Sequence, residues 1–132
     1  MAFSKKVTFI VGLPGSGKSY YLKAHMKDFE GAKVLDDPSV QDIGPLEDLI
    51  AAHDSMVIAD PMLCLISARA VADRLFEGWE KIWIFYENDF RACWDNVRFR
   101  EDDRSISRFH LVTLSALYDI PKDAVTLPVY KP

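Results

Sequence analysis

The sequence predicts an α/β fold: an open parallel sheet of four or five strands with helices on both faces. Three observations carry that expectation. β-branched and aromatic runs alternate along the chain with stretches whose apolar residues recur at helical spacing. The connections are short, so strands are expected to pair in parallel through right-handed crossovers. Residues 12–19 read GLPGSGKS, placed between an apolar run ending at Val11 and a helical pattern.

Taken in order, residues 6–11 form the first strand. Tyr21, Leu22, Met26 and Phe29 mark one face of a helix over 18–29, which Gly31 ends. Residues 32–35 make a short second strand running into Asp36-Asp37-Pro38. After Gly44-Pro45, the apolar residues Leu46, Leu49 and Ile50 mark a short helix. Residues 56–59 are a third strand ending at Asp60-Pro61. Ser67 has the character of a helix cap, with Ala70, Val71 and Leu75 facing inward until Gly78 breaks the helix. Residues 82–86, IWIFY, are nearly all apolar and read as a strand buried on both faces. Asn88 or Asp89 opens a helix with Phe90, Cys93 and Val97 on one side. A last helix spans about 107–118, and residues 125–130 are a candidate terminal strand.

The 132 residues fit one domain, 1–132, with a real core. Hydrophobic residues make up 49% and charged residues 27%, as in ordinary globular proteins. The net charge of −4 argues against a broad basic surface for nonspecific nucleic-acid binding. Five of the seven arginines nonetheless lie between residues 91 and 108. They form either a phosphate-directed cluster or a solvated face balanced by Glu101, Asp102 and Asp103. Cys64 and Cys93 show no ligand or redox spacing and read as core thiols in a reducing compartment. His25, His53 and His110 are scattered, which fits surface or capping roles. No stretch approaches the ~20 apolar residues that span a bilayer, so a cytoplasmic protein is expected.

GLPGSGKS fits the phosphate-loop pattern G-x-x-x-x-G-K-[ST]. Chance would place that pattern in roughly one chain in two hundred of this length. Its chemistry explains its composition. Consecutive backbone N–H groups cradle polyphosphate, so the residues Gly12, Leu13, Pro14, Gly15, Ser16, Gly17, Lys18 and Ser19 must curl tightly. Lys18 offers a cation to the outer phosphates and Ser19 a hydroxyl to Mg²⁺. The following helix turns its positive end to the anion. ATP and Mg²⁺ are therefore the expected ligands.

Ligands in open α/β sheets bind beyond the carboxyl ends of the strands. That rule brings together the loop, Asp36-Asp37 and Asp60. Asp60 stands where phosphate-loop proteins put a Mg²⁺-holding carboxylate; the alternative is a turn or capping role before Pro61. Rapid ATP hydrolysis commonly uses a Glu directly after this Asp, and here that residue is Pro61. Transfer to a bound acceptor is the better expectation. No N-K-x-D motif supports guanine specificity. Asp36, first after its strand, is the candidate base for an acceptor hydroxyl; the alternative is an Asp-Asp-Pro turn. Residues 98–108 sit where small kinases carry a lid. Arg98, Arg100 or Arg104 could neutralise charge on the transferring phosphoryl group, and Asn96, Arg98 and Arg100 can share one helical surface.

These segments resemble the kinase domain of the phage-type polynucleotide kinases, within the small P-loop NTPase-fold kinases that act on nucleosides and polynucleotides. KKVTFIVGLPGSGKSYYLKAHM looks like that family's first strand, loop and helix. VLDDPSVQD looks like its second strand with the catalytic Asp, here Asp36. VIADPML looks like the segment after its third strand, and ENDFRACWDNVRFREDDRS like its Arg-containing lid. The resemblance implies ATP with Mg²⁺ as donor and a nucleic-acid hydroxyl as acceptor, DNA ahead of RNA. There are departures. Ser39 replaces an Arg that can hold the acceptor's 3′-phosphate, and Pro61-Met62 replaces Thr-Asn. A related viral group phosphorylates 5-hydroxymethyluracil in DNA, and the short chain is compatible with it. Trp94, Phe99 or Phe109 could stack on a base or pack in the core. Two further readings stay open: a kinase of a free nucleoside, nucleotide or small metabolite, and an ATP-binding module that transfers nothing.

Overall fold

A computed structural model describes residues 4–36, 46–99 and 107–131. The elements follow as β1 (Lys6–Val11), α1 (Lys18–Ala24), β2 (Lys33–Asp36), α2 (Leu46–Ala52), β3 (Ser55–Ala59), a 3₁₀ turn (Pro61–Cys64), α3 (Ile66–Leu75), β4 (Glu80–Tyr86), α4 (Phe90–Phe99), α5 (Arg108–Leu117) and β5 (Thr126–Leu127). The five strands make one parallel sheet in the order β2-β3-β1-β4-β5. The expected α/β architecture is therefore present, with five strands among the described residues.

Strand order explains how the helices are shared out. A right-handed crossover puts its helix on one face when the chain moves one way along the sheet, and on the other when it reverses. Only β1→β2 runs toward the β2 edge; every later connection runs the other way. Only α1 should then cover one face, and α2 to α5 the other. The packing agrees. Val7, Phe9 and Val11 of β1 meet Leu49, Ala72, Cys93, Leu111 and Leu114, while Ile10 meets Tyr21 and Leu22 of α1. Phe9 stacks on Trp83 at 4.1 Å and meets Phe76 edge-on.

One seven-residue helix, about 10 Å long, cannot cover five strands. Val34 and Ile82 are left 41% and 39% exposed on its face. β4 is thus not buried along its length. Only Phe85 and Tyr86 are buried, because β5 pairs with those two residues alone and leaves the rest of β4 as an edge.

Other departures are local. The first helix stops at Ala24, and overlapping three-residue turns carry the chain through residues 25–30, which leaves Met26 67% exposed. The third helix opens at Ile66 rather than after Ser67, because the 3₁₀ turn feeds straight into it. Ala72 is its buried residue and Leu75 packs against the core as expected, with Phe76 buried just beyond the helix, whereas Ala70 and Val71 are exposed. The terminal strand is two residues long, since Pro128 has no N–H to continue the ladder. No helix among the described residues is long and apolar enough to cross a membrane.

Candidate phosphate-binding site

β1 and β3 are neighbours whose following connections run in opposite directions, the switch point where such sheets hold ligands. The GLPGSGKS loop leaves β1 there. Gly15 and Gly17 have φ of +84° and +111°. A Cβ on Gly15 would lie 2.5 Å from the Cys93 carbonyl oxygen, and one on Gly17 2.6 Å from Tyr130 Cβ. Both the turn and the close neighbours exclude side chains.

Lys18 is buried, and its ammonium folds back over the loop. Nζ donates to the carbonyls of Gly12 at 2.7 Å and Leu13 at 2.9 Å, with Ser16 Oγ at 3.4 Å. These acceptors offset the cost of taking the cation out of water. Lys18 lies near enough to Cys64 to pull its thiol toward ionisation, as does Arg69. Burial outweighs both and pushes that thiol up to about 12.

Ser19 lies in the first turn of α1, and its Oγ donates to Asp36 Oδ2 at 2.7 Å. Asp36 pairs in register with Ala59, so Asp60 follows one residue beyond on the adjacent strand. Phosphate loop, Asp36 and Asp60 thus share the carboxyl end of the sheet. Asp60 Oδ1 accepts the Met62 N–H at 2.9 Å and caps the 3₁₀ turn. A groove of about 600 Å³ opens at Ser19 and Asp36 and runs between α1 and β2 along Leu22, Phe29 and Val34.

The expected lid lies largely outside the described residues, with Asp37, Arg100 and Arg104 among those not described. Arg98 is exposed on the last turn of α4 and pairs with Asp95 at 3.1 Å. Asn96 points elsewhere. Its Nδ2 donates to the Gly15 carbonyl at 2.9 Å and the Tyr130 carbonyl at 2.6 Å. Phe99 and Phe109 are 79% and 80% exposed, whereas Trp94 packs against the core.

Sequence reasoning misses the contribution of the tail. Tyr130 donates its N–H to the Ser16 carbonyl at 2.9 Å and stacks its ring on Tyr20 at 4.1 Å. Tyr86 Oη donates to the Gly17 carbonyl at 3.1 Å. Arg69 is missed as well. It is a staple rather than a phosphate ligand: its guanidinium donates to the carbonyls of Leu63, Cys64 and Asp119. The run from Leu127 to Tyr130 carries a faint sequence signal; Arg69 carries none.

No family model matches the chain. It is 28% identical over 106 residues to uncharacterized protein R277 of Acanthamoeba polyphaga mimivirus, an alignment covering 76% of each chain. Its fold matches the crystal structure of a gluconokinase from Sinorhizobium meliloti 1021 with a TM-score of 0.65 at 15% identity, across 100% of this chain and 86% of that one. The chain thus shares the fold of that gluconokinase structure.

Proposed function

We propose that the chain is an ATP-dependent phosphotransferase that moves the γ-phosphate to a hydroxyl of a small molecule. The 2.7 Å contact between Ser19 Oγ and Asp36 Oδ2 carries the reading. It puts a metal-binding hydroxyl and a candidate base at one spot, where the phosphate loop meets the helix.

The chain's residues suit ATP and Mg²⁺. Gly15 and Gly17 take φ of +84° and +111°, the curled backbone that turns successive N–H groups toward an anion. Among the described residues no group of three or more His, Cys, Asp or Glu could hold a metal by itself. Mg²⁺ needs no such cage, because it keeps waters and phosphate oxygens and takes only one or two protein oxygens. Ser19 and Asp60 would hold it. Bound Mg²⁺ would supply positive charge to the outer phosphate oxygens.

The residues then divide the work. Loop amides and Lys18 bind and orient the polyphosphate. Asp36 orients the acceptor hydroxyl and takes its proton, with Ser19 fixing the carboxylate's rotation. Arg98, Arg100 or Arg104 would approach the transferring group.

Two observations favour a small acceptor over nucleic acid. The structural neighbour is by name a gluconokinase, a kinase of a small substrate. The groove ending at Asp36, about 600 Å³, has the size of a small-molecule site. An acceptor screen with γ-labelled ATP tests this. It compares free nucleosides, nucleotides and sugar acids with 5′-hydroxyl DNA, RNA and hydroxymethylated duplex. Label on a small acceptor is expected. Label confined to polynucleotide would restore the nucleic-acid reading, and ATP binding with no labelled acceptor would leave a non-transferring module.

A further inference from the structure

Three consecutive peptide units of the phosphate loop are held from behind, each by a donor from a different part of the fold. Asn96 of α4 holds the Gly15 carbonyl, Tyr130 of the tail holds that of Ser16, and Tyr86 at the end of β4 holds that of Gly17. In a planar trans peptide the C=O and the next N–H point opposite ways. Fixing these carbonyls therefore orients the N–H groups of Gly17 and Lys18, together with that of Ser16, which closes the loop's turn onto the Leu13 carbonyl at 3.0 Å.

The three donors are not equally needed. The Gly17 carbonyl also accepts from Tyr21 N at 2.9 Å, a bond of the opening helix turn. Among the described residues, the Gly15 and Ser16 carbonyls accept only from α4 and the tail. Asn96 acts on both. The nitrogen that holds Gly15 also donates to the Tyr130 carbonyl at 2.6 Å, securing the segment whose N–H holds Ser16. One side chain thus orients two peptide planes of the cradle, one directly and one through the tail.

We propose that Asn96 is a positioning residue for polyphosphate, setting the loop's amides before ligand arrives. The inference rests on the phosphate-loop reading above and deepens it. Asn96 need touch no ligand; it acts through Gly15 and Tyr130.

The test titrates Mg·ATP and inorganic tripolyphosphate with magnesium into wild type, Asn96→Ala and Asn96→Gln, with melting temperatures measured alongside. Loss of these hydrogen bonds should weaken both ligands by the same factor, about tenfold. The melting point should fall by only a few degrees, since alanine's helix propensity offsets part of the two lost hydrogen bonds. Asn96→Gln retains both donors on a longer arm and should recover part of the affinity. If Asn96→Ala does not fold, Asn96→Ser, with one short donor, carries the same comparison. A folded variant with wild-type tripolyphosphate affinity overturns the proposal, as does a loss seen for ATP alone. A wild-type chain that binds neither ligand overturns the phosphate-loop reading as well.

Discussion

Ser19 Oγ and Asp36 Oδ2 lie 2.7 Å apart, joined by a hydrogen bond across 17 residues of sequence. The contact connects the first turn of α1 to the last residue of β2. It gives Asp36 a fixed orientation beside the Ser19 hydroxyl, the group proposed above to hold Mg²⁺.

Asp36→Asn should retain ATP binding while lowering transfer by about 10²–10⁴, the usual contribution of a positioned base. Steady-state transfer from labelled ATP, with affinity measured by calorimetry, checks both halves. Unchanged turnover would remove Asp36 from the mechanism.

Gly17→Ala should cost about 2–4 kcal/mol, from a left-handed backbone and a forced overlap with Tyr130. Gly31 makes a control. Its φ is also positive, +85°, but a Cβ there would meet nothing within 4 Å. Gly31→Ala should therefore cost only the backbone strain, about 1–2 kcal/mol. Urea unfolding of both variants reads the difference; equal costs would mean that Tyr130 does not press on the loop.

The loop and the strands before it are legible in the sequence because their signals are local. Glycine spacing and β-branched runs lie within a few residues of the structure they produce. Asp36 and Asp60 stand out by the same route, as the polar residues at the carboxyl ends of their strands. What stays hidden depends on distant packing. The exposure of Ile82 follows from the shortness of both α1 and β5, and nothing near Ile82 reveals that. Asn96 reads as part of an arginine-bearing surface until the tail is seen to come back over the loop. Ala72 and Val71 differ by one residue in helix phase, and a helix of weakly contrasting residues does not settle that phase alone.

Arg69→Met should destabilise the fold by about 2–4 kcal/mol, because it strips a charged donor from three carbonyls. The guanidinium also covers the Phe85 ring at 5.4 Å. ATP affinity of the folded variant should match wild type. A selective loss of nucleotide binding at unchanged melting temperature would contradict the staple role.

Alkaline pH should loosen the protein through three buried acids, Cys64, Tyr86 and Tyr118, each of which burial holds in its protonated form. Burial pushes the Cys64 thiol from 9.0 to about 12, and the Tyr86 phenol from 10.0 to about 12. Each binds its proton more tightly when folded. Their contribution is complete below the unfolded values and is lost as pH rises through about 12. Urea midpoints should fall from about pH 9 upward, and Cys64→Ala should flatten that fall. Both Cys64 and Cys93 are buried, so a thiol reagent at neutral pH should modify neither until the chain unfolds. Rapid labelling of the native protein would contradict this.

Whether the glycine-rich loop grips a nucleoside triphosphate is tested most directly by a calorimetric titration of Mg·ATP into wild type and Lys18→Ala. The expected result is saturable 1:1 binding by wild type, with affinity at least about tenfold weaker once the loop's cation is gone. Folded wild-type protein that takes up no ATP, or a Lys18→Ala variant that binds it equally well, would contradict a phosphate-gripping role for the loop.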